Sequence, residues 1–202
     1  MARKAAAGTR DRILDTAATL FYDHGVRAVG MQQIIDAAGC GKNVLYREFP
    51  SKTDLVAGYL QRSRQTWQQD IAAATQGVTG DAATRLGALV RATADTVGKP
   101  NYRGCPFRNY LAEFADHTDA AGQIATAHLR DTRAQIDTLV AELAPARPDV
   151  LADRIWLIIE GLHTAAAHPG GARAAETAVS LVDDLIHDAG ARVETATDQP
   201  AI

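Results

Sequence analysis

Between Gly30 and Phe49 the chain places two short apolar-faced segments on either side of a glycine, and this spacing constrains the fold more than any other stretch. Met31, Ile34, Ile35 and Ala38 fall on one helical face. Gly39 follows, where the backbone can turn through a conformation that a side chain penalises. A second short helix is predicted from about Lys42, burying Leu45 and Phe49 and leaving Lys42, Asn43, Tyr46 and Arg47 on its other face. Two such helices around a tight turn form a helix-turn-helix, whose second helix can enter a DNA major groove.

Helical periodicity continues through the rest of the chain, with no sustained alternating strand pattern, so an all-α fold is expected. Thr9 is expected to cap a first helix from Arg10 to about Asp23, which Gly25 stops. Pro50 and Ser51 break the chain, and Ser51 is expected to cap a longer connecting helix from Lys52 towards Ala74. Further helices are predicted from about Asp81 to Val97, from Phe107 to near His117, and from Ala120 to Leu143. Two last helices, Val150 to about Ala167 and Ala172 to Ala189, carry wide apolar faces that need cover. A second copy of the chain is the usual source of such cover, so Leu151, Ile155, Ile158, Leu162, Ala178, Leu181, Val182 and Leu185 are expected at a homodimer interface. The resulting organisation is a head over residues 1–50, a helical body over 51–190 with its connecting helix from 52, and a flexible tail over 191–202. Met1 to Gly8 is expected to be a mobile arm.

Charge supports this division. The net charge is −3, yet residues 1–62 carry nine basic against six acidic groups, and the remainder twelve against eighteen. A basic head on an acidic body suits a protein that reads DNA at one end. The longest apolar run, Ile155 to Ile159, is too short to span a bilayer, and no apolar leader precedes the first helix, so a cytoplasmic protein is expected. Cys40 and Cys105 make neither a disulfide framework nor a zinc spacing and are expected to be apolar filler. A metal set drawn from Glu113, His117, His128 and His163 lacks ligand spacing, so neither a metal nor another cofactor is expected. No nucleophile motif, phosphate loop or acid pair stands in a catalytic context, and an enzyme is not expected. The body's few aromatics, Trp67, Tyr102, Phe107, Tyr110, Phe114 and Trp156, either fill the core or line one apolar pocket with Asn109, His128 and His163 as polar groups.

Ala37-Ala38-Gly39-Cys40-Gly41-Lys42-Asn43-Val44-Leu45-Tyr46-Arg47-Glu48-Phe49, followed by Ser51, Lys52 and Leu55, resembles the head of TetR-family transcriptional regulators almost position for position. The preceding helix, ending in Leu20, Phe21 and Gly25, is similar as well. The resemblance implies that Gln32 and Gln33 reach base edges or phosphates, and that Lys42, Asn43 and Val44 face bases. It implies that Tyr46 and Lys52 grip phosphates with help from Arg47. The chemistry agrees: Gln and Asn pair with adenine, Lys reaches guanine, Val offers methyls to thymine, and phosphate donors fix register.

Gly30, Gly41 and Val44 depart from the family's usual hydroxyl residues, and Glu48 is expected to pair with Arg47 or Lys52. The expected function is a ligand-responsive regulator, foremost a repressor. It would bind a palindromic operator as a homodimer and be released by a small hydrophobic effector. An activator remains open. A sequestering or partner-docking protein is a further reading, which the three departures favour and Tyr46 and Lys52 oppose.

Overall fold

The computed structural model describes residues 8–78, 80–165 and 171–197, the side chains of 171–172 and 190–197 apart. Nine α-helices and no strands occur among the described residues. They are α1 (Thr9–His24), α2 (Met31–Ala38), α3 (Lys42–Glu48), α4 (Lys52–Thr75), α5 (Ala82–Val97), α6 (Pro106–Glu113), α7 (Ala120–Glu142), α8 (Pro148–Ala165) and α9 (Gly171–Thr197). The mobile arm expected at the amino terminus lies outside the described residues, apart from Gly8.

Most helix ends follow the local chemistry read from sequence. The Ser51 Oγ accepts a hydrogen bond from the Asp54 N–H at 3.1 Å and donates to the Asp54 carboxylate at 2.7 Å, which caps α4. The Asp81 carboxylate accepts from both the backbone N–H and the hydroxyl of Thr84 at 2.9 Å, starting α5 and holding the Asp81 pKa below its ordinary value. Thr9 does not cap α1: Gly8 occupies the cap in a left-handed conformation, and Thr9 is the buried first residue of the helix. α8 starts two residues before the expected Val150, at Pro148, whose missing N–H would have had no helical partner. α9 runs to Thr197, so the flexible tail expected over 191–202 is helical as far as 197, and its remaining residues lie outside the described ones.

Packing divides the chain into two compact units, and the boundary differs from the one expected at residue 50. The first unit comprises residues 1–66 together with 105–129. Its core unites Ile13, Ala17, Phe21, Val29, Ile34, Leu45, Phe49, Leu55 and Leu60 with Phe107, Tyr110, Ala121 and Ala125. The head therefore includes half of α4, all of α6 and the start of α7. The second unit comprises residues 67–104 and 130–202. There α5 packs against both α8 and α9, around Leu86, Leu89, Val90, Ile136, Val140, Ile155, Ile159 and Val182.

Most of the residues expected at the dimer face are packed inside the single chain. Leu151, Ile155, Leu162, Ala178 and Val182 are buried within the single chain: the first two and Val182 cluster with side chains of α5 and α7, and Leu162 and Ala178 with Ala94 and Val97 of α5. Ile158 and Leu185 are half-buried, whereas Leu181 is 47% exposed. Leu157, one residue off the expected stripe, is 68% exposed. An apolar stripe shows that a helix face is covered but not by what.

Candidate nucleic-acid interface

α2 and α3 are too short to persist alone and hold their shape through burial. Ile34 and Leu45 are completely buried and Phe49 nearly so, and each contributes about 1.5–3 kcal/mol by leaving water. Gly39 has φ +57°, the left-handed conformation that ends α2. The Cys40 N–H then donates to the Ile35 carbonyl and the Gly39 N–H to the Asp36 carbonyl, the paired bonds of a Schellman turn. Cys40 is half-buried against the head core and Cys105 fully buried; both are free thiols.

Neither Gly30 nor Gly41 offers a side-chain cap to the helix it starts. The other ends are held from α1 by two arginines that the sequence reading missed. Arg12 Nε donates to the Ala38 carbonyl at the end of α2, 3.3 Å away. Arg10 donates to the Glu48 carbonyl at the end of α3 at 2.6 Å, while its guanidinium lies 4.1 Å from the centre of the Phe49 ring. Cations at helix carboxyl termini satisfy orphan carbonyls and oppose the helix dipole. Arg62 of α4 forms ion pairs with Asp11 and Asp15 of α1.

The face opposite this core is polar and open. Gln32, Gln33, Lys42, Asn43, Tyr46 and Arg47 are all exposed, on two consecutive helices. Val44 is half-buried against the head core, which leaves only part of its side chain for an external contact. The Gln32 amide donates to the Asp36 carboxylate at 2.8 Å. Arg47 pairs with Glu48 at 3.1 Å, so Glu48 faces a base. Lys52 is half-buried; burial pushes its pKa below the ordinary lysine value, and the Glu113 charge opposes that shift.

The aromatics expected to share one pocket are divided between the two units. Phe107, Tyr110, Phe114 and His128 belong to the first. Phe107 stacks on buried His128 with ring centres 3.8 Å apart, and Tyr110 stacks on Phe114 at 4.7 Å. The Tyr110 hydroxyl donates to the Asp119 carboxylate, and burial together with that bond pushes its pKa up. Trp67, Tyr102, Trp156 and His163 belong to the second unit, where the Tyr102 hydroxyl and His163 Nδ1 share a 2.6 Å hydrogen bond. Two cavities of that unit have other linings. One of about 130 Å³ lies among Pro145, Val150, Arg154 and Asp188, and a groove of about 570 Å³ lies among Arg91, Asp95, Glu176 and Asp183.

No described helix is long and apolar enough to cross a membrane.

Comparison with known proteins matches both ends of this arrangement. Residues 13–59 match the family profile described as bacterial regulatory proteins, tetR family, and residues 82–182 match the tetracyclin repressor-like C-terminal domain. The chain is 38% identical over 88 residues to the transcriptional activator FasR of Mycolicibacterium smegmatis. It is 46% identical over 50 residues to the transcriptional repressor KstR2 of Rhodococcus jostii. These matches take in 44% and 25% of the chain, and the chain spans only 40% and 24% of the two relatives' lengths. The likeness of structure is more complete. SCO4454, a TetR-family regulator from Streptomyces coelicolor, superposes with a TM-score of 0.85 at 25% identity, over 91% of this chain and 97% of that one. A TetR regulator from Chloroflexus aurantiacus gives 0.74 at 26% identity, over 89% and 94%. With its amino-terminal helix-turn-helix and its helical body both matched, the chain belongs to the TetR family of transcriptional regulators and is not an enzyme.

Proposed function

We propose that the protein is a ligand-responsive repressor that binds a palindromic operator as a homodimer in the cytoplasm and is released by a small hydrophobic molecule. The observation that carries the DNA reading is the set of polar residues Gln32, Gln33, Lys42, Asn43, Tyr46 and Arg47, exposed on two helices whose opposite faces are locked into one core. Lys42 and Asn43, at the start of α3, are assigned to base edges, with Gln32 and Gln33 beside them. Tyr46, Arg47 and Lys52 are assigned to phosphates, and Val44 to a partial apolar contact. KstR2 is described as a repressor and FasR as an activator, so likeness to them leaves the sign to operator position.

Dimerisation is assigned to the outer face of α8 and α9, centred on Leu157 and Leu181 with Ile158 and Leu185 at its margin. Exposed leucines on adjacent helices of one unit support that choice. The effector is assigned to the second unit, beside Trp67, Tyr102 and Trp156, with Tyr102 and His163 as polar handles. Effector binding would favour a DNA-incompetent state, and by reciprocity DNA would weaken effector binding.

Selection of bound sequences from random duplex DNA tests the proposal, using the full chain at a stated near-physiological salt. A palindrome with half-sites about one turn apart, roughly 34–36 Å, is expected. A folded dimer that enriches no sequence would overturn it in favour of a sequestering role.

A further inference from the structure

Glu113, the last residue of α6, closes on a turn 87 residues earlier in the chain. Its Oε1 accepts from the Val26 N–H at 3.1 Å and its Oε2 from the Arg27 N–H at 2.7 Å. Both oxygens are thus committed to consecutive backbone donors of the segment that leads from α1 into α2. Bonds of this kind, with an ionised acceptor, are stronger than neutral ones and fix direction as well as distance. The turn is shaped for this acceptor. Gly25 has φ +83°, and a Cβ there would sit 3.0 Å from Glu113 Oε1, so a side chain would be both strained and obstructive. The neighbouring Arg27 guanidinium lies 5.0 Å from the centre of the Phe114 ring, which adds a second tie between the same two segments.

α6 is itself anchored. Phe107 is buried on His128, and Tyr110 is tied to Asp119, whose carboxylate also accepts from the Gly122 N–H at 2.7 Å in the first turn of α7. The carboxylate is thus presented from a firm support to a turn that has no regular structure of its own. Val26 and Val29, on either side of Arg27, are buried in the head core, so the height at which this turn is held sets where α2 begins. Glu113 also acts electrostatically on Lys52, the expected phosphate donor at the start of α4.

We infer that Glu113 is a positioning residue for DNA binding: it touches no DNA, but fixes the entry to α2 and thereby the placement of Gln32 and Gln33. The inference rests on the DNA-binding reading above and extends the interface to a residue outside the helix-turn-helix segment. It makes a prediction whose sign opposes the obvious electrostatic one. Removing an acid from a DNA-binding head makes the head more positive, which by charge alone strengthens binding to any duplex. A positioning role requires the selected operator to be bound more weakly.

The test compares the full-length chain with Glu113→Gln, which keeps the shape but offers one carbonyl acceptor to two donors. Amide hydrogen exchange at Val26 and Arg27 is expected to accelerate about tenfold in the variant, as loss of a charge-assisted bond implies, while Ile34 and Leu45 stay protected. Affinity for the selected operator is expected to fall about tenfold, while binding to an unrelated duplex stays equal or tightens. Unchanged exchange at Val26 and Arg27, or operator binding that rises in step with unrelated DNA, would overturn the inference. If Glu113→Gln does not fold, Glu113→Asp replaces it, keeping the charge and shortening the reach. Weaker operator binding then supports positioning, and unchanged binding overturns it. A wild-type chain that selects no sequence refutes the DNA-binding reading and the positioning role with it, whereas the exchange comparison still decides whether the tether exists.

Discussion

Arg10 and Arg12 of α1 donate to the last carbonyls of α3 and α2. Arg10→Ala is expected to lower stability by about 1 kcal/mol, through loss of an exposed charge-assisted bond and a ring contact, and to weaken operator binding by misplacing α3. A urea melt and a DNA titration on the same preparation check this; unchanged values in both would mean the contact is idle. At the DNA face, Tyr46→Phe and Lys52→Ala are expected to weaken binding to all sequences alike. The lysine change should also reduce the slope of log affinity against log salt by about 1. Lys42→Ala and Asn43→Ala should instead relax preference at particular bases, and a uniform loss would contradict base reading. Two buried phenols give a pH test. Burial pushes the pKa of both Tyr59 and Tyr110 up, so the unfolded chain releases these protons first. Their contribution to stability is therefore present below the ordinary phenol pKa of about 10 and is lost as pH rises beyond it. Ultraviolet titration should show Tyr59 and Tyr110 ionising only with unfolding, and Tyr110→Phe should remove one such tyrosine.

At the scale of elements, α8 and α9 differ from what their periodicity suggested. Each has a wide apolar face, but α5 packs against both and removes Ile155, Leu162, Ala178 and Val182 from the surface. Leu157 and Leu181 stay exposed on these helices, where the proposed dimer contact is centred. Leu157→Asp and Leu181→Asp are each expected to give monomers by light scattering with the helical content of the parent. Burial of a leucine contributes about 1.5–3 kcal/mol, and an unpaired acid in its place adds a desolvation cost. A dimer surviving both changes would place the interface elsewhere. α6 shows the opposite case. Its stripe of Phe107, Tyr110, Leu111 and Phe114 was legible, yet it packs into the unit that carries the helix-turn-helix rather than into a separate body.

At the scale of the molecule, the DNA-reading unit is discontinuous in sequence. Residues 105–129 supply Phe107, Tyr110, Ala121 and Ala125 to the same core as Phe21, Leu45 and Phe49. A fragment ending at residue 66 would lose those side chains, each aromatic contributing about 1.5–3 kcal/mol by burial. Its thermal midpoint is expected to fall well below that of the head within the full chain. A fragment as stable as the parent would show that the helix-turn-helix stands without α6 and α7. The chain passes between the two units three times, within α4, between Gly104 and Cys105, and within α7.

Sequence alone determined the helices, the turn at Gly39, the polar set from Gln32 to Arg47 and the Ser51 cap. Each rests on residues within a few positions of one another, where helical periodicity and hydrogen-bonding chemistry act directly. The tertiary structure decided the rest. Glu113 lies 87 positions from Val26, and Arg10 lies 38 from Glu48, and no periodic signal marks a polar contact at such range. It also decided which apolar faces the chain covers for itself. A stripe that packs on α5 and one that packs on a second copy have the same spacing, because burial depends on removal from water and not on the source of the covering surface.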